Sequence, residues 1–140
     1  MCMTMKLHFD VSGDDFTRAG EASGSVKRTL KDLGFSHEMV RKVVIALYEA
    51  EINLVIHAGG GEIDVEISPE SVDMVLTDKG PGIPDVEMAM KEGYSTAPDN
   101  VRSLGFGAGM GLPNMKKNSD TMDIETTLGV GTTVTMTVNI

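Results

Sequence analysis

The chain has 140 residues, of which 41% are hydrophobic and 24% are charged, and its formal net charge is −9. This size and composition predict one globular domain, and the single cysteine excludes an internal disulfide and a cysteine-rich zinc site. The acidic balance argues against a direct nucleic-acid partner. No apolar run approaches the roughly 18 residues of a membrane span, and the N-terminus lacks a secretory signal pattern. We therefore expect a cytoplasmic protein without a membrane partner.

The first half of the chain predicts one strand and two helices. Residues 6–11 alternate loosely between polar and apolar side chains, as a strand does. A helix is expected over about residues 14–33, although Gly20 and Gly24 each weaken it by roughly 1 kcal/mol relative to alanine. A second helix is expected from Ser36 to about residue 58, where three consecutive glycines stop it.

The second half predicts four strands in two hairpins, because its segments alternate with period two and are joined by turn residues. The four strands are residues 62–68 and 72–77, then 121–127 and 132–140. Short helices are expected at 85–92 and 112–119. The glycine-rich loop between them, residues 93–111, has the length of a functional loop.

The predicted order of elements is β-α-α-ββ-α-loop-α-ββ. Strands that arrive as adjacent hairpins favour an α+β fold, a two-layer α/β sandwich. Its sheet is expected to be mixed and mainly antiparallel, with the helices on one face. A dinucleotide-binding fold of alternating strands and helices is excluded by this order.

The second helix carries a ladder of polar side chains. Glu49, Asn53 and His57 are spaced four apart, which places them on one face of a helix. This ladder is either a solvated or internally hydrogen-bonded stripe, or a site in which Asn53 offers a neutral oxygen to Mg²⁺ and Glu49 deprotonates a nucleophile. Glu51 points roughly 160° away from Glu49 and serves the other face.

The sequence TDKGPGIPD follows the predicted strand at 72–77. Asp78, Gly80 and Gly82 stand among prolines in it, a composition typical of a tight turn. The alternative is a binding site for a flat ligand, because the two glycines let a ring approach the backbone and Asp78 accepts a hydrogen bond from an exocyclic amine such as that of adenine. Thr77 and Thr132 would add hydroxyl contacts through water.

A run of four alternating glycines, residues 105–111, leads directly into the helix that starts at Leu112. The run is either a flexible linker or an anion cradle built from backbone N–H groups and the positive end of a helix. A cradle of this kind binds phosphate without a net positive protein charge. The Walker A pattern is absent, because no Lys-Ser or Lys-Thr pair follows the glycines.

These motifs, in this order and spacing, together with Gly129-x-Gly131-Thr132, resemble the nucleotide-binding boxes of the GHKL ATPase superfamily. Within that superfamily the whole chain is most similar to the small bacterial anti-sigma-factor serine kinases and the related stressosome switch kinases. The stretches DKGPGIPD, EGYST and GMGLPNMKK carry this resemblance. The helical hairpin with a phosphorylatable histidine that sensor kinases possess has no counterpart.

The resemblance implies a single Bergerat-fold domain over residues 1–140, with an ATP lid at about 93–111 and with ATP and Mg²⁺ as cofactors. It implies transfer of the ATP γ-phosphate to a serine of a STAS-domain antagonist, with a sigma factor as a further partner and a homodimer as an allowed assembly. Two alternatives stay open. One is a non-catalytic, nucleotide-dependent module that sequesters a sigma factor, and the other is a detached histidine-kinase catalytic domain.

The resemblance also implies a role for individual residues. Glu49 would be the general base, Asn53 the Mg²⁺ ligand and Asp78 the adenine contact, while His57 would be packed rather than a ligand. The remaining nucleotide-binding positions are Gly80 and Gly82 beside adenine, Gly107, Gly109, Gly111 and Leu112 at the phosphates, Thr132 behind the base, and Arg102 near the γ-phosphate.

Overall fold

A computed structural model of the protein describes residues 4–13, 19–57, 59–80 and 111–140. These residues form five strands and three helices. In chain order they are β1 (Met5–Ser12), α1 (Glu21–Asp32), α2 (His37–His57), β2 (Gly60–Ile67), β3 (Ser71–Thr77), α3 (Gly111–Lys117), β4 (Thr121–Thr127) and β5 (Gly131–Asn139). The helix predicted at 85–92 and nearly all of the loop predicted at 93–111 lie outside the described residues.

The five strands form one sheet in the order β1-β2-β3-β5-β4. Every neighbouring pair is antiparallel, so the described strands form an antiparallel sheet rather than a mixed one. Both predicted hairpins, β2–β3 and β4–β5, are confirmed, with bounds within two residues of those expected from alternation. The α+β fold class is confirmed as well.

The hydrophobic core lies between one face of the sheet and the helices. Alternate side chains of β2 and β3, such as Ile63 and Leu76, are fully or almost fully buried, as a strand with one covered face requires. Val43 and Leu47 of α2 meet them from the helix layer and are also fully buried. The sheet's other face is exposed and carries mainly charged and threonine side chains.

Helix α2 lies in the middle of the helix layer, where it contacts α1, α3 and the strands beneath it. Its predicted start at Ser36 is confirmed, because the Ser36 hydroxyl oxygen accepts a hydrogen bond from the backbone N–H of Met39 at 3.2 Å. None of the helices in the described part of the chain is both long and apolar enough to cross a membrane.

The prediction that the first helix begins near residue 14 is wrong. Helix α1 begins at Glu21, and Gly20 before it has a φ of 100°, a left-handed conformation that glycine adopts without strain. A side chain at this position would also approach Tyr48, because an added Cβ atom would lie 3.3 Å from its ring. Gly20 is therefore the N-cap residue of α1 and does not lie inside a continuous helix.

Candidate active site

Glu49 lies on the side of α2 that α3 covers. Its side chain is half-buried, and the Asn114 side-chain amide donates a hydrogen bond to Glu49 Oε1 at 3.4 Å. Burial raises the pKa of the Glu49 carboxyl above its ordinary value of 4.5, because the charged form loses solvation, and the hydrogen bond from Asn114 opposes this rise. A carboxylate with a raised pKa is a stronger proton acceptor, which suits a general base.

Asn53 lies one helical turn after Glu49 and is tied to the core through its amide nitrogen. Asn53 Nδ2 donates to the sulfur of Met115, 3.5 Å away, and Met115 is 1% exposed. This is the only hydrogen bond that the Asn53 side chain makes with the described residues, and it does not use the carbonyl oxygen. A neutral amide oxygen at a half-buried position fits a hard cation such as Mg²⁺, which takes few protein ligands and keeps several waters.

Asp78 follows β3 and is held by backbone groups. Its Oδ1 atom accepts hydrogen bonds from the N–H of Gly80 at 2.8 Å and from the N–H of Thr132 at 3.2 Å. The Asp78 backbone N–H donates in turn to the Thr132 carbonyl at 3.0 Å. The turn therefore fixes Oδ1, whereas Oδ2 takes no hydrogen bond from the described part of the chain.

Two glycines let the ends of the strands come together at this edge. Gly131 has a φ of 149°, and a Cβ atom there would overlap the Asp78 carbonyl. A Cβ atom on Gly61 would overlap the Thr77 carbonyl and would lie 3.1 Å from the Leu54 side chain of α2. From the sequence, Gly61 is expected only as part of the glycine run that stops α2, and nothing in the local pattern predicts that the edge of the sheet requires it.

Thr132, the second residue of β5, is 7% exposed. Its backbone donates to Asp78, and its hydroxyl lies 2.9 Å from the Thr126 hydroxyl across the β4–β5 hairpin. Thr132 therefore connects the Asp78 turn to the hairpin.

The structure thus brings the predicted residues into two groups. Glu49 and Asn53 lie where α2 meets α3, whereas Asp78, Gly80 and Thr132 lie where β3 meets β5. Gly61 lies between α2 and the Asp78 turn, since a Cβ atom added there would contact both Leu54 and Asp78. Of the remaining predicted positions, Gly111 begins α3 and Leu112 packs against the core. The other four lie outside the described residues: Gly82, Arg102, Gly107 and Gly109. His57 is the last residue of α2.

The environment of Glu51 differs from that of Glu49. The sequence predicts that Glu51 serves another face of the helix, but it does not predict the hydrogen bonds that Glu51 accepts. The side chain is 2% exposed, and its two carboxylate oxygens accept hydrogen bonds from the backbone N–H groups of Ala22 and Ser23, at 3.1 and 3.2 Å. These are N–H groups of the first turn of α1, which lack partners within their own helix. Glu51 is therefore a long-range cap for α1, and its carboxylate is fully engaged in the fold.

The contact between Asn114 and Glu49 was not predicted either, because local periodicity carries no signal for a contact between residues 65 positions apart.

A protein-family model and two bacterial proteins match most of the chain. Residues 14–138 match the family model of the histidine kinase-like ATPase domain. The serine/threonine-protein kinase RsbT of Bacillus subtilis is 30% identical over 112 residues, which cover 77% of this chain and 78% of RsbT. The anti-sigma F factor of Clostridium novyi is 31% identical over 140 residues, covering 94% of this chain and 91% of that protein.

Solved structures share the fold. The structure of the RsbU and RsbW domains of Rv1364c from Mycobacterium tuberculosis superimposes with a TM-score of 0.61 at 18% identity, covering 96% of this chain and 32% of that one. The mycobacterial sensor histidine kinase MprB superimposes with a TM-score of 0.54 at 17% identity, covering 96% of this chain and 97% of that one. The predicted GHKL resemblance is confirmed, and the chain belongs to the histidine kinase-like ATPase domain family.

Proposed function

We propose that the protein is an ATP-dependent serine kinase of the partner-switching type, which transfers the γ-phosphoryl group of ATP to a serine of a STAS-domain antagonist. The observation that carries this proposal is the position of Glu49, a half-buried carboxylate with a raised pKa, one turn before Asn53 on the side of α2 that faces α3. Similarity to a protein named as a serine/threonine-protein kinase supports it.

The nucleotide would lie at the edge where β3 meets β5. Asp78 Oδ2 would accept a hydrogen bond from the adenine amino group, since Oδ1 is already held by backbone N–H groups. Gly80 and Gly82 would let the ring approach the backbone, and Thr132 would support Asp78 from behind. The lid at about residues 93–111 would hold the phosphates, through Gly107, Gly109 and Gly111 with Leu112 behind them and Arg102 near the γ-phosphate.

Asn53 would provide the protein ligand for Mg²⁺ through its side-chain carbonyl oxygen. The ion would neutralise charge on the β- and γ-phosphates, and the protein would contribute positioning and electrostatic stabilisation, which supply most of the catalysis in phosphoryl transfer. The hydrogen bond from Asn53 to Met115 orients the amide, so that its nitrogen faces the core and its oxygen is left for the ion.

Glu49 would act as the general base. Its carboxylate takes the proton of the substrate serine hydroxyl while the serine oxygen forms a bond to the γ-phosphorus. The bond from the γ-phosphorus to the bridging oxygen breaks, and ADP leaves with that electron pair. The protonated Glu49 then returns its proton to solvent. Burial favours this step, because it makes the carboxylate more basic.

The proposal treats residues 1–140 as a single cytoplasmic domain. Its partners would be a STAS-domain antagonist and a sigma factor, since several relatives are named anti-sigma F factors. A homodimer remains a prediction.

The second candidate is a non-catalytic module that sequesters a sigma factor in a nucleotide-dependent manner. The relatives named anti-sigma F factor favour it, because that name describes binding rather than catalysis. In this case ATP would stabilise the binding-competent form of the protein without losing its γ-phosphate to a partner.

Transfer from γ-labelled ATP to a STAS-domain protein from the same genome tests the proposal. The wild-type protein should give an acid-stable labelled product, and Glu49→Gln should lower the transfer rate by about 10²–10⁴-fold while ATP binding persists. Glu51→Gln, on the same helix, is the matched control and should retain transfer. Equal transfer by wild type and Glu49→Gln would contradict the role of Glu49. A nucleotide-dependent complex with a sigma factor, without labelled product, would favour the second candidate.

A further inference from the structure

Two consecutive residues of α3 make polar contacts with the predicted base and the predicted Mg²⁺ ligand of α2. Asn114 Nδ2 donates to Glu49 Oε1 at 3.4 Å, and the sulfur of Met115 accepts from Asn53 Nδ2 at 3.5 Å. The glycine run of residues 105–111 leads directly into this helix. The predicted phosphate cradle and the predicted base are therefore joined by one short element.

The C-terminal end of α3 is fixed independently of Glu49. The Asn118 side chain donates to the Asn114 carbonyl at 2.9 Å, and the Ser119 hydroxyl donates to the Met115 carbonyl at 2.7 Å. Met115 is 1% exposed and belongs to the hydrophobic core, and Pro113 is buried as well. Met115 and Pro113 thus anchor the helix to the core, whereas the Asn114 side chain is only half-buried.

We propose that Asn114 is a positioning residue for phosphoryl transfer, which holds Oε1 of Glu49 so that Oε2 faces the substrate serine. The inference rests on the proposed function, since it assigns a geometry to the base of that reaction. Glu49 makes no other hydrogen bond with the described residues, so Oε2 is the atom left to accept a proton.

The chemistry of the contact supports this role. The Asn114 amide donates its hydrogen bond to a carboxylate, and such a bond is stronger when the acceptor is ionised. It therefore favours the ionised form of Glu49 against the cost of burial, which is the direction in which it moves the Glu49 pKa. A base needs both features, because it must be ionised before the reaction and aimed at the hydroxyl during it.

Three variants test the inference with the full-length protein, Mg²⁺-ATP and the STAS-domain substrate. Asn114→Ala removes the donor, and Asn114→Asp keeps the shape but places a second carboxylate beside Glu49. Asn118→Ala is the matched control, because it loosens α3 without touching Glu49. The measurements are kcat, KM for ATP, the pH dependence of kcat, and the pKa of the Glu49 carboxyl by NMR without nucleotide.

We expect Asn114→Ala to lower kcat about tenfold and Asn114→Asp to lower it further, with KM for ATP within about twofold of wild type. The rising limb of the pH–rate profile should move to higher pH in both, together with the NMR titration of Glu49, and Asn118→Ala should move neither. A role in helix packing alone would not shift a pH profile.

The inference is overturned if Asn114→Ala has the kcat and pH profile of the wild type, or if Asn118→Ala reproduces its loss. An unshifted NMR titration in Asn114→Ala overturns it as well. Failure of the proposed function gives a different result, because the wild-type protein itself would then bind ATP without labelling the serine.

Discussion

The two glutamates near the middle of α2 lie only two residues apart and have opposite environments. Both carboxylate oxygens of Glu51 are bonded to the first turn of α1, and the side chain is buried. Glu49 makes one long hydrogen bond to Asn114, is half-buried, and has a raised pKa. Both oxygens of the Glu51 carboxylate are hydrogen-bonded within the fold, whereas Oε2 of Glu49 has no hydrogen-bond partner among the described residues.

This difference shows how a buried polar group can be assigned to structure or to function. A carboxylate whose oxygens are all bonded within the fold contributes mainly to stability, because a ligand has nothing left to bind. Carboxylates with one oxygen fixed and no partner for the other among the described residues, such as Glu49 and Asp78, are candidates for ligand binding or catalysis. The following predictions test this division, from the largest expected effect to the smallest.

Glu51→Ala should lower the free energy of unfolding by about 2–4 kcal/mol, because it leaves two buried N–H groups of α1 without partners and opens a cavity. Urea denaturation followed by circular dichroism measures this loss. Glu51→Gln retains one acceptor oxygen and should lose less. Glu49→Ala, two residues away, is the control, and an equal loss of stability in both alanine variants would contradict the division.

Thr132→Val should lower the free energy of unfolding by about 1 kcal/mol, because it removes the hydroxyl pair with Thr126 while the backbone bond to Asp78 remains. Because this hydroxyl contacts Thr126 within the hairpin, ATP affinity should stay within about twofold of wild type. Calorimetric titration checks the affinity. A loss of tenfold or more would instead assign the Thr132 hydroxyl to the nucleotide.

Glu49→Gln should make the protein slightly more stable at neutral pH, by a fraction of the change expected for Thr132→Val. The folded-state pKa of Glu49 lies above its ordinary value of 4.5, so the stability that the protonated side chain contributes is fully present below pH 4.5 and is lost as pH rises through the folded-state pKa. The effect is small because the side chain is only half-buried and solvent screens it.

The measurement is thermal unfolding of the wild type and of Glu49→Gln, from below pH 4.5 to neutral pH. The difference in melting temperature, Glu49→Gln minus wild type, should increase as pH rises. A difference that decreases with pH would show that the fold favours the ionised form of Glu49.

His8 offers an exposed counterpart on the open face of the sheet. Hydrogen bonds to Asp64 at 2.7 Å and to Asp10 at 3.1 Å raise the pKa of its imidazole above the ordinary value of 6.5. NMR should show that Asp64→Asn lowers this pKa. The stability from this contact is present below pH 6.5 and is lost as pH rises through the folded-state pKa, and exposure keeps it negligible beside the Glu51 cap. An unchanged pKa in Asp64→Asn would contradict the contact.

Local sequence patterns predicted much of the fold and the frame of the site. Period-two alternation placed both hairpins, and the four-residue spacing placed Glu49 and Asn53 on one face of α2. The contacts of Glu51 with α1 and of Asn114 with Glu49 were not predicted. They join residues 28–29 and 65 positions apart, and only tertiary packing brings such residues together.

The wrong helix start has a similar origin. Helix propensity treats Gly20 as a weak position in a long helix, whereas its left-handed backbone makes it the N-cap residue before α1. The same limit applies to Gly61 and Gly131, because their need for a bare backbone depends on strands that arrive from distant parts of the chain.

Calorimetric titration of the wild-type protein and of Asp78→Asn with Mg²⁺-ATP tests the central claim, that this edge of the sheet is an adenine-nucleotide site. An asparagine keeps the oxygen that holds the turn but can place a donor where the adenine amino group needs an acceptor. The wild type should therefore bind one Mg²⁺-ATP, and the variant should bind at least about tenfold more weakly, a difference of about 1.4 kcal/mol, while unfolding at the same denaturant concentration. No binding by the wild type, or equal affinity in the two proteins, would contradict the account.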